Sequence, residues 1–267
     1  MNFAERYGPW AVIAGASEGT GRAFARQVAS KGVDCVLIAR REEPLTALAA
    51  EIRAESRVNC ITASVDLAAS DACERIAAAV GDREVGLFIS NAGADPNGSL
   101  FLDNELANWS ELVNRNVMTV MGSCYYFARR MRSRGRGGII IVGSGACYGG
   151  LTGITVYSAT KAFDLCFGEG LWAELRPHGV DVLNLIMGRT DTPAHRELME
   201  RKGIPIPSNL ASADDVAAVG LARLPHGPVH NWALADDETG YAISSAAARR
   251  QRILTIDARS KGQTGQK

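Results

Sequence analysis

No stretch of this chain is apolar for long enough to span a bilayer, its six cysteines form no CxxC pair, and neither sign of charge prevails. Each absence excludes something. A membrane helix needs about 20 consecutive apolar residues, so no membrane partner is expected. Lys+Arg and Asp+Glu number 29 each, which leaves no net field to steer the chain toward nucleic acid or an anionic surface. The one basic run, RRMRSRGR at 129–136, reads as the cationic end of a helix, where positive charge suits the carboxyl-terminal dipole. Cysteines 35, 60, 73, 124, 147 and 166 lie scattered through apolar segments, the pattern of buried thiols rather than of a disulfide framework or zinc site. The four histidines (178, 195, 226, 230) have no ligand spacing, so no metal is expected. The first ten residues, MNFAERYGPW, lack the apolar core of a secretory signal, and a cytoplasmic location is expected.

What is present is alternation. WAVIAGAS (10–17), CVLIAR (35–40), VNCITASVD (58–66), VGLFISNAG (85–93), GGIIIVGSG (137–145) and VDVLNLIMG (180–188) are short apolar runs without polar alternation. Such runs fit strands covered on both faces, as in a parallel sheet. Helical spacing separates them, with a long helix expected over about 105–132 and others over 155–176 and 212–224. The fold class read from this order is α/β: a single Rossmann-type domain over 1–267, a doubly wound parallel sheet with helices on both faces. Residues 188–210 read as a substrate-covering flap, and about 258–267 as a disordered tail.

Between the first strand and the first helix stands GASEGTG, comprising Gly15, Ala16, Ser17, Glu18, Gly19, Thr20 and Gly21. Glycines there allow a tight turn and close backbone approach to a pyrophosphate, while the helix terminus supplies N–H donors. The second strand ends in Ala39, where an NAD enzyme carries an acid for the ribose hydroxyl, and Arg40 and Arg41 follow. A pair of guanidiniums suits a 2′-phosphate, so NADP(H) is favoured over NAD(H). Later in the chain YSATK puts Tyr157 and Lys161 four apart, on one helix face.

Taken in order, Gly15, Gly19 and Gly21, Asp66, the NAG of Asn91–Gly93, Asn116, Ser144 and YSATK resemble the classical short-chain dehydrogenase/reductase (SDR) family over about residues 8–193. Ser144 lies 13 residues before Tyr157, as is usual there. Two features depart from the family: Met187-Gly188 replaces Pro-Gly, and no clear final strand ending in Gly-Gly follows. The resemblance implies a catalytic set of Asn116, Ser144, Tyr157 and Lys161. Tyr157 is the acid/base, Ser144 polarises the substrate oxygen, and Lys161 also holds the nicotinamide ribose. Asn116 bends the long helix and holds a relay water. It further implies cofactor contacts from Asp66 and Leu67 at the adenine, from Asn91, Ala92 and Gly93, and from Gly188, Thr190 and Thr192 near the nicotinamide. An isolated phenol ionises near pH 10; an ammonium one turn away stabilises the phenolate.

The substrate pocket is expected from Ala94, Asp95, Ala146, Tyr148, Leu151, Ile154, Arg189, His195 and Leu198, with few charges. That composition favours a hydrophobic ketone reduced to a secondary alcohol, or the reverse. The alternatives are an NAD(H)-linked alcohol or steroid dehydrogenase working oxidatively, and a non-catalytic nucleotide-binding sensor. Family members self-associate, which implies a homodimer or homotetramer.

Overall fold

The computed structural model describes residues 2–232. The elements run α1 (Phe3–Tyr7), β1 (Trp10–Ala14), α2 (Gly19–Ser30), β2 (Asp34–Ala39), α3 (Glu42–Ser56), β3 (Cys60–Ser64), α4 (Ala72–Val80) and β4 (Val85–Ser90). They continue with α5 (Leu106–Val113), a π turn (Asn114–Met118), α6 (Thr119–Arg134), β5 (Gly137–Ser144), α7 (Thr155–Leu175) and β6 (Val180–Met187). Last come β7 (Thr190–Asp191), α8 (Pro193–Arg201), β8 (Ala211–Ser212), α9 (Ala213–Arg223) and β9 (Val229–Trp232).

Among the described residues, seven strands form one parallel sheet in the order β3-β2-β1-β4-β5-β6-β9, and β7 pairs with β8. Successive side chains of a strand point to opposite faces, and the core divides accordingly. Ile13, Leu37, Ile89 and Leu183 pack with Phe24 of α2, Leu48 of α3 and Val216 of α9 on one face. Val12, Val36, Phe88 and Val182 pack with Ile76 of α4, Phe127 of α6 and Leu175 of α7 on the other. Burial on both faces is why these strands are unbroken apolar runs; every residue of β4 is buried.

Strand order reverses between β1 and β4, which run on from β1 to β2 on one side and from β4 to β5 on the other. In an open parallel sheet the crevice for a ligand lies beyond the carboxyl ends of strands at that switch. Here the chain leaves β1 at Gly15 and β4 at Asn91, so the glycine loop and the NAG segment face each other there.

Three features differ from the sequence reading. The expected long helix over 105–132 is interrupted: five residues, Asn114–Met118, form a π turn between α5 and α6. A seventh strand, β9, exists where no final strand was expected, and it carries no Gly-Gly. The flap region contains the short strand β7 besides the helix α8, and β8 follows directly after it. The expected tail at 258–267 lies outside the described residues. The basic run ends α6 as expected, with Gly135 in the left-handed conformation at the cap and Arg134 donating to the Val85 carbonyl at 2.6 Å. Among the described residues, no helix is long and apolar enough to cross a membrane and no His/Cys/Asp/Glu cluster could hold a metal.

Candidate active site

A cleft of about 510 Å³ opens at the switch point, within the size range of small-molecule and cofactor sites. Its wall takes in Gly15, Ser17, Glu18, Gly19 and Thr20 from the glycine loop, Arg40 and Arg41 after β2, and Asp66 and Leu67 after β3. Asn91, Ala92, Gly93, Ala94 and Asp95 follow β4, while Tyr157 and Lys161 enter from α7 and Thr192 and Leu198 from the flap.

The glycine loop is clamped onto the NAG segment. Asn91 Nδ2 donates to the Gly15 carbonyl at 3.0 Å, and the backbone N–H groups of Asn91 and Ala92 both donate to Ala14 O at 3.0 Å. A β-carbon on Gly21 would stand 1.9 Å from Gly15 O and 2.7 Å from Asn91 Nδ2. Gly15 itself has a φ of +83°, where side chains are disfavoured. Gly21→Ala is therefore expected to cost about 1–3 kcal/mol or more through forced displacement. A thermal melt, with cofactor titration beside it, measures this; an unchanged Tm would show that the loop yields.

The residues fit a dinucleotide. Helix α2 starts at Gly19 with no side-chain cap on its first turn, so its N–H groups point free toward the cleft, as an anion requires. Thr20 Oγ1 is buried in the same wall without a hydrogen-bond partner. Asp66 Oδ1 accepts from Ala68 N at 3.0 Å, which fixes the carboxylate at the end of β3. Thr192 caps α8, its Oγ1 accepting from His195 N at 3.2 Å, and its methyl lies over Gly19.

Beneath the opposite wall lies the group expected to do chemistry. Lys161 is buried; its Nζ donates to the Val142 carbonyl and to Asp164 Oδ2, each at 3.0 Å. Tyr157, Lys161 and Asp164 recur at i, i+4 and i+7, so they form one stripe along α7. Burial works to lower the Lys161 pKa, but Asp164 and Tyr157 outweigh it and the net direction is upward, so the ammonium stays charged. Burial holds the Asp164 carboxyl above its ordinary range, with Lys161 pulling it back. Sequence reasoning missed Asp164, although an acid three residues beyond the lysine in an apolar helix was a signal.

Asn116 sits at the centre of the π turn and is fully buried. Its Nδ2 donates to Thr160 Oγ1 at 3.0 Å and to Gly93 O at 3.4 Å, which ties the broken helix to α7 and to the cleft wall. Its Oδ1 is buried without a partner. Ser144 ends β5, and its Oγ accepts from Ala146 N at 3.3 Å. That bond occupies one lone pair and leaves the hydroxyl proton to donate elsewhere.

The expected substrate wall is only partly assembled around the cleft. Ala94, Asp95 and Leu198 line it. Tyr148 follows Ser144 through a short 3₁₀ turn that also holds buried Ala146, and its hydroxyl donates to Asn231 Oδ1 of β9 at 2.6 Å. Leu151 and Ile154 precede α7 and are half-buried. Gly188 and Thr190 lie where β6 passes into β7, and Arg189 between them is exposed. His195 is held below its ordinary value by burial and then by Arg189, and its Nε2 is buried without a partner. Pro96, Arg115, Met187, Glu197 and Arg201 also line the cleft and were not anticipated. Arg201 donates to Pro96 O at 2.6 Å and Lys202 to Gly98 O at 2.7 Å, so the end of α8 latches onto the loop after the NAG segment.

Comparison with known proteins gives the same frame. The short chain dehydrogenase family profile matches residues 9–203. A 7beta-hydroxysteroid dehydrogenase of Clostridium sardiniense is 32% identical over 193 residues, 72% of this chain and 74% of that protein. A structure described by the stereoselectivity of a 7beta-hydroxysteroid dehydrogenase superposes with a TM-score of 0.79 at 28% identity, covering 86% of this chain and 89% of the other. A short-chain dehydrogenase from Sphingobium yanoikuyae in complex with NADPH superposes at 0.75 with 27% identity, covering 97% and 96%.

Proposed function

Since the chain belongs to the short-chain dehydrogenase family and is an oxidoreductase of hydroxyl and keto groups, we propose that it reduces a hydrophobic ketone to a secondary alcohol with NADP(H). The observation that carries this is the opening of Tyr157 and Lys161 into the same cleft as the glycine loop and Arg40. A nicotinamide cofactor held by the glycine loop, Arg40 and Asp66 would supply the hydride chemistry at the carbonyl carbon. Tyr157 Oη gives its proton to the carbonyl oxygen as negative charge gathers there, a role a positioned phenol can fill. Ser144 Oγ donates a hydrogen bond to the same oxygen, in the manner of an oxyanion hole. Lys161 keeps a positive charge under the phenol and takes no proton from the substrate. Asn116 positions α7 through Thr160. The apolar part of the wall, Leu198, Met187, Ala94 and Pro96, supports a hydrophobic substrate, and steroid-like ketones head the panel to be tried.

The test follows absorbance at 340 nm with NADPH and with NADH against a panel of bulky ketones. Faster turnover with NADPH is expected. Equal or better turnover with NADH would sink the cofactor preference, and cofactor binding without turnover of any ketone or alcohol would sink the enzymatic reading.

The chain is also proposed to self-associate as a homodimer or homotetramer. Leu106 and Tyr125, exposed by 72% and 65%, lie with Met118 and Met121 along α5, the π turn and α6, and Leu102, exposed by 87%, stands in the 3₁₀ turn just before α5; exposed apolar side chains of this kind mark an interface. Sedimentation at micromolar concentration is expected to give at least twice the 28.4 kDa chain mass; a monomer would refute it.

A further inference from the structure

Arg115 has no assigned role, yet it faces the cleft from the π turn. It is half-buried, and burial first and Arg40 second hold its guanidinium below the ordinary value, with Asp66, Glu111 and Asp95 offsetting only part. Neither Arg115 nor Arg40 has a carboxylate within 4.0 Å among the described residues. Arg41 differs: its Nη2 pairs with Glu18 Oε2 across the mouth of the glycine loop. The two consecutive arginines are thus not equivalent, and the unpaired second cation comes from 75 residues further along, as the difference 115 − 40 gives.

Two cations held in one wall, one of them half-buried, repel each other, and no carboxylate of the described residues offsets either within 4.0 Å. A dianion relieves both costs. A phosphate monoester carries about −1.5 to −2 at pH 7 and offers three acceptor oxygens. Asp66 and Leu67 in the same wall put the pair on the adenosine side of the cleft.

We propose that Arg115 and Arg40 together clamp the 2′-phosphate of the cofactor adenosine, and that Arg41 is a positioning residue that fixes the glycine loop through Glu18. This rests on the NADP(H) reading. It deepens that reading by adding an anion ligand from the π turn, outside the glycine loop and the end of β2.

The experiment is calorimetric titration of the full chain with adenosine 2′,5′-bisphosphate and with adenosine 5′-monophosphate, for wild type, Arg115→Met, Arg115→Lys, Arg40→Ala and Arg41→Ala. Arg115→Met and Arg40→Ala are each expected to weaken the bisphosphate about tenfold or more, the scale of a charge-assisted hydrogen bond, and the monophosphate less than about threefold. Arg115→Lys should recover part of the loss, and Arg41→Ala should weaken both ligands alike. If Arg115→Met weakens both ligands by one factor, Arg115 stacks on the adenine and the clamp is wrong. If wild type prefers the bisphosphate and Arg115→Met prefers it as strongly, the clamp is wrong while the cofactor reading stands. If wild type does not distinguish the two ligands, the cofactor reading itself fails.

Discussion

Tyr157→Phe is expected to lower kcat/KM for ketone reduction by about a hundred- to ten-thousand-fold, the range that one positioned acid contributes, while cofactor affinity changes little. The substitution removes one oxygen and keeps the ring. The local fold does not depend on that oxygen: Thr160 Oγ1 donates to the Tyr157 backbone carbonyl at 2.8 Å, and Asn116 in turn donates to Thr160. Both bonds survive in the variant, so the melting temperature should hold and the effect should fall on turnover. A kinetic comparison at saturating cofactor, with cofactor fluorescence titrated separately, resolves the two. Retained turnover would place the proton donor on another group of the cleft, and the reading of the Tyr157–Lys161 pair would fall.

The second large effect is one of stability. Asp164→Leu is expected to destabilise the fold by about 3–5 kcal/mol, because removing one partner of a buried pair leaves the other charge uncompensated. Lys161 and Asp164 are 3% and 1% exposed, so water cannot take the carboxylate's place. The double variant Lys161→Met/Asp164→Leu should recover most of the loss, since apolar groups of similar volume often replace a buried pair at little cost. Denaturant unfolding of both variants and of wild type completes the cycle. A double variant as unstable as Asp164→Leu would mean that packing, not charge, sets the loss. The result bears on chemistry too: a cation in a buried site persists only if something opposite holds it there, and Asp164 lies on α7 one turn beyond it.

Six of the seven strands described in the main sheet were legible, five of them because burial on both faces leaves unbroken apolar runs; β3, at the sheet edge, is mostly half-buried. The glycine loop and the Tyr157–Lys161 pair were legible because their spacing is tied to a turn and to one helix face. β9 was not, because VHNW has no such run; it is a strand through its pairing with β6, where Asn184 N donates to Pro228 O at 2.8 Å. The π turn was also hidden, since one extra residue in a turn leaves hydrophobic periodicity nearly intact. Its trace is Asn116, a polar residue that becomes fully buried in mid-helix. Arg115 carried no signal of its own in the sequence, and only the three-dimensional wall brings it to the cleft. The pairing of Arg41 with Glu18, 23 residues away, left no trace in the sequence.

The bond from Tyr148 to Asn231 couples two stretches of chain 83 residues apart. One follows Ser144, and the other is β9, the last strand among the described residues. A graft that is to keep this bond would therefore have to move both together. A graft of residues 145–154 alone would leave Asn231 facing a foreign side chain. A graft of the final strand alone would take away the Asn231 acceptor of the Tyr148 hydroxyl. The two segments form one hydrogen-bonded unit, although the chain writes them far apart.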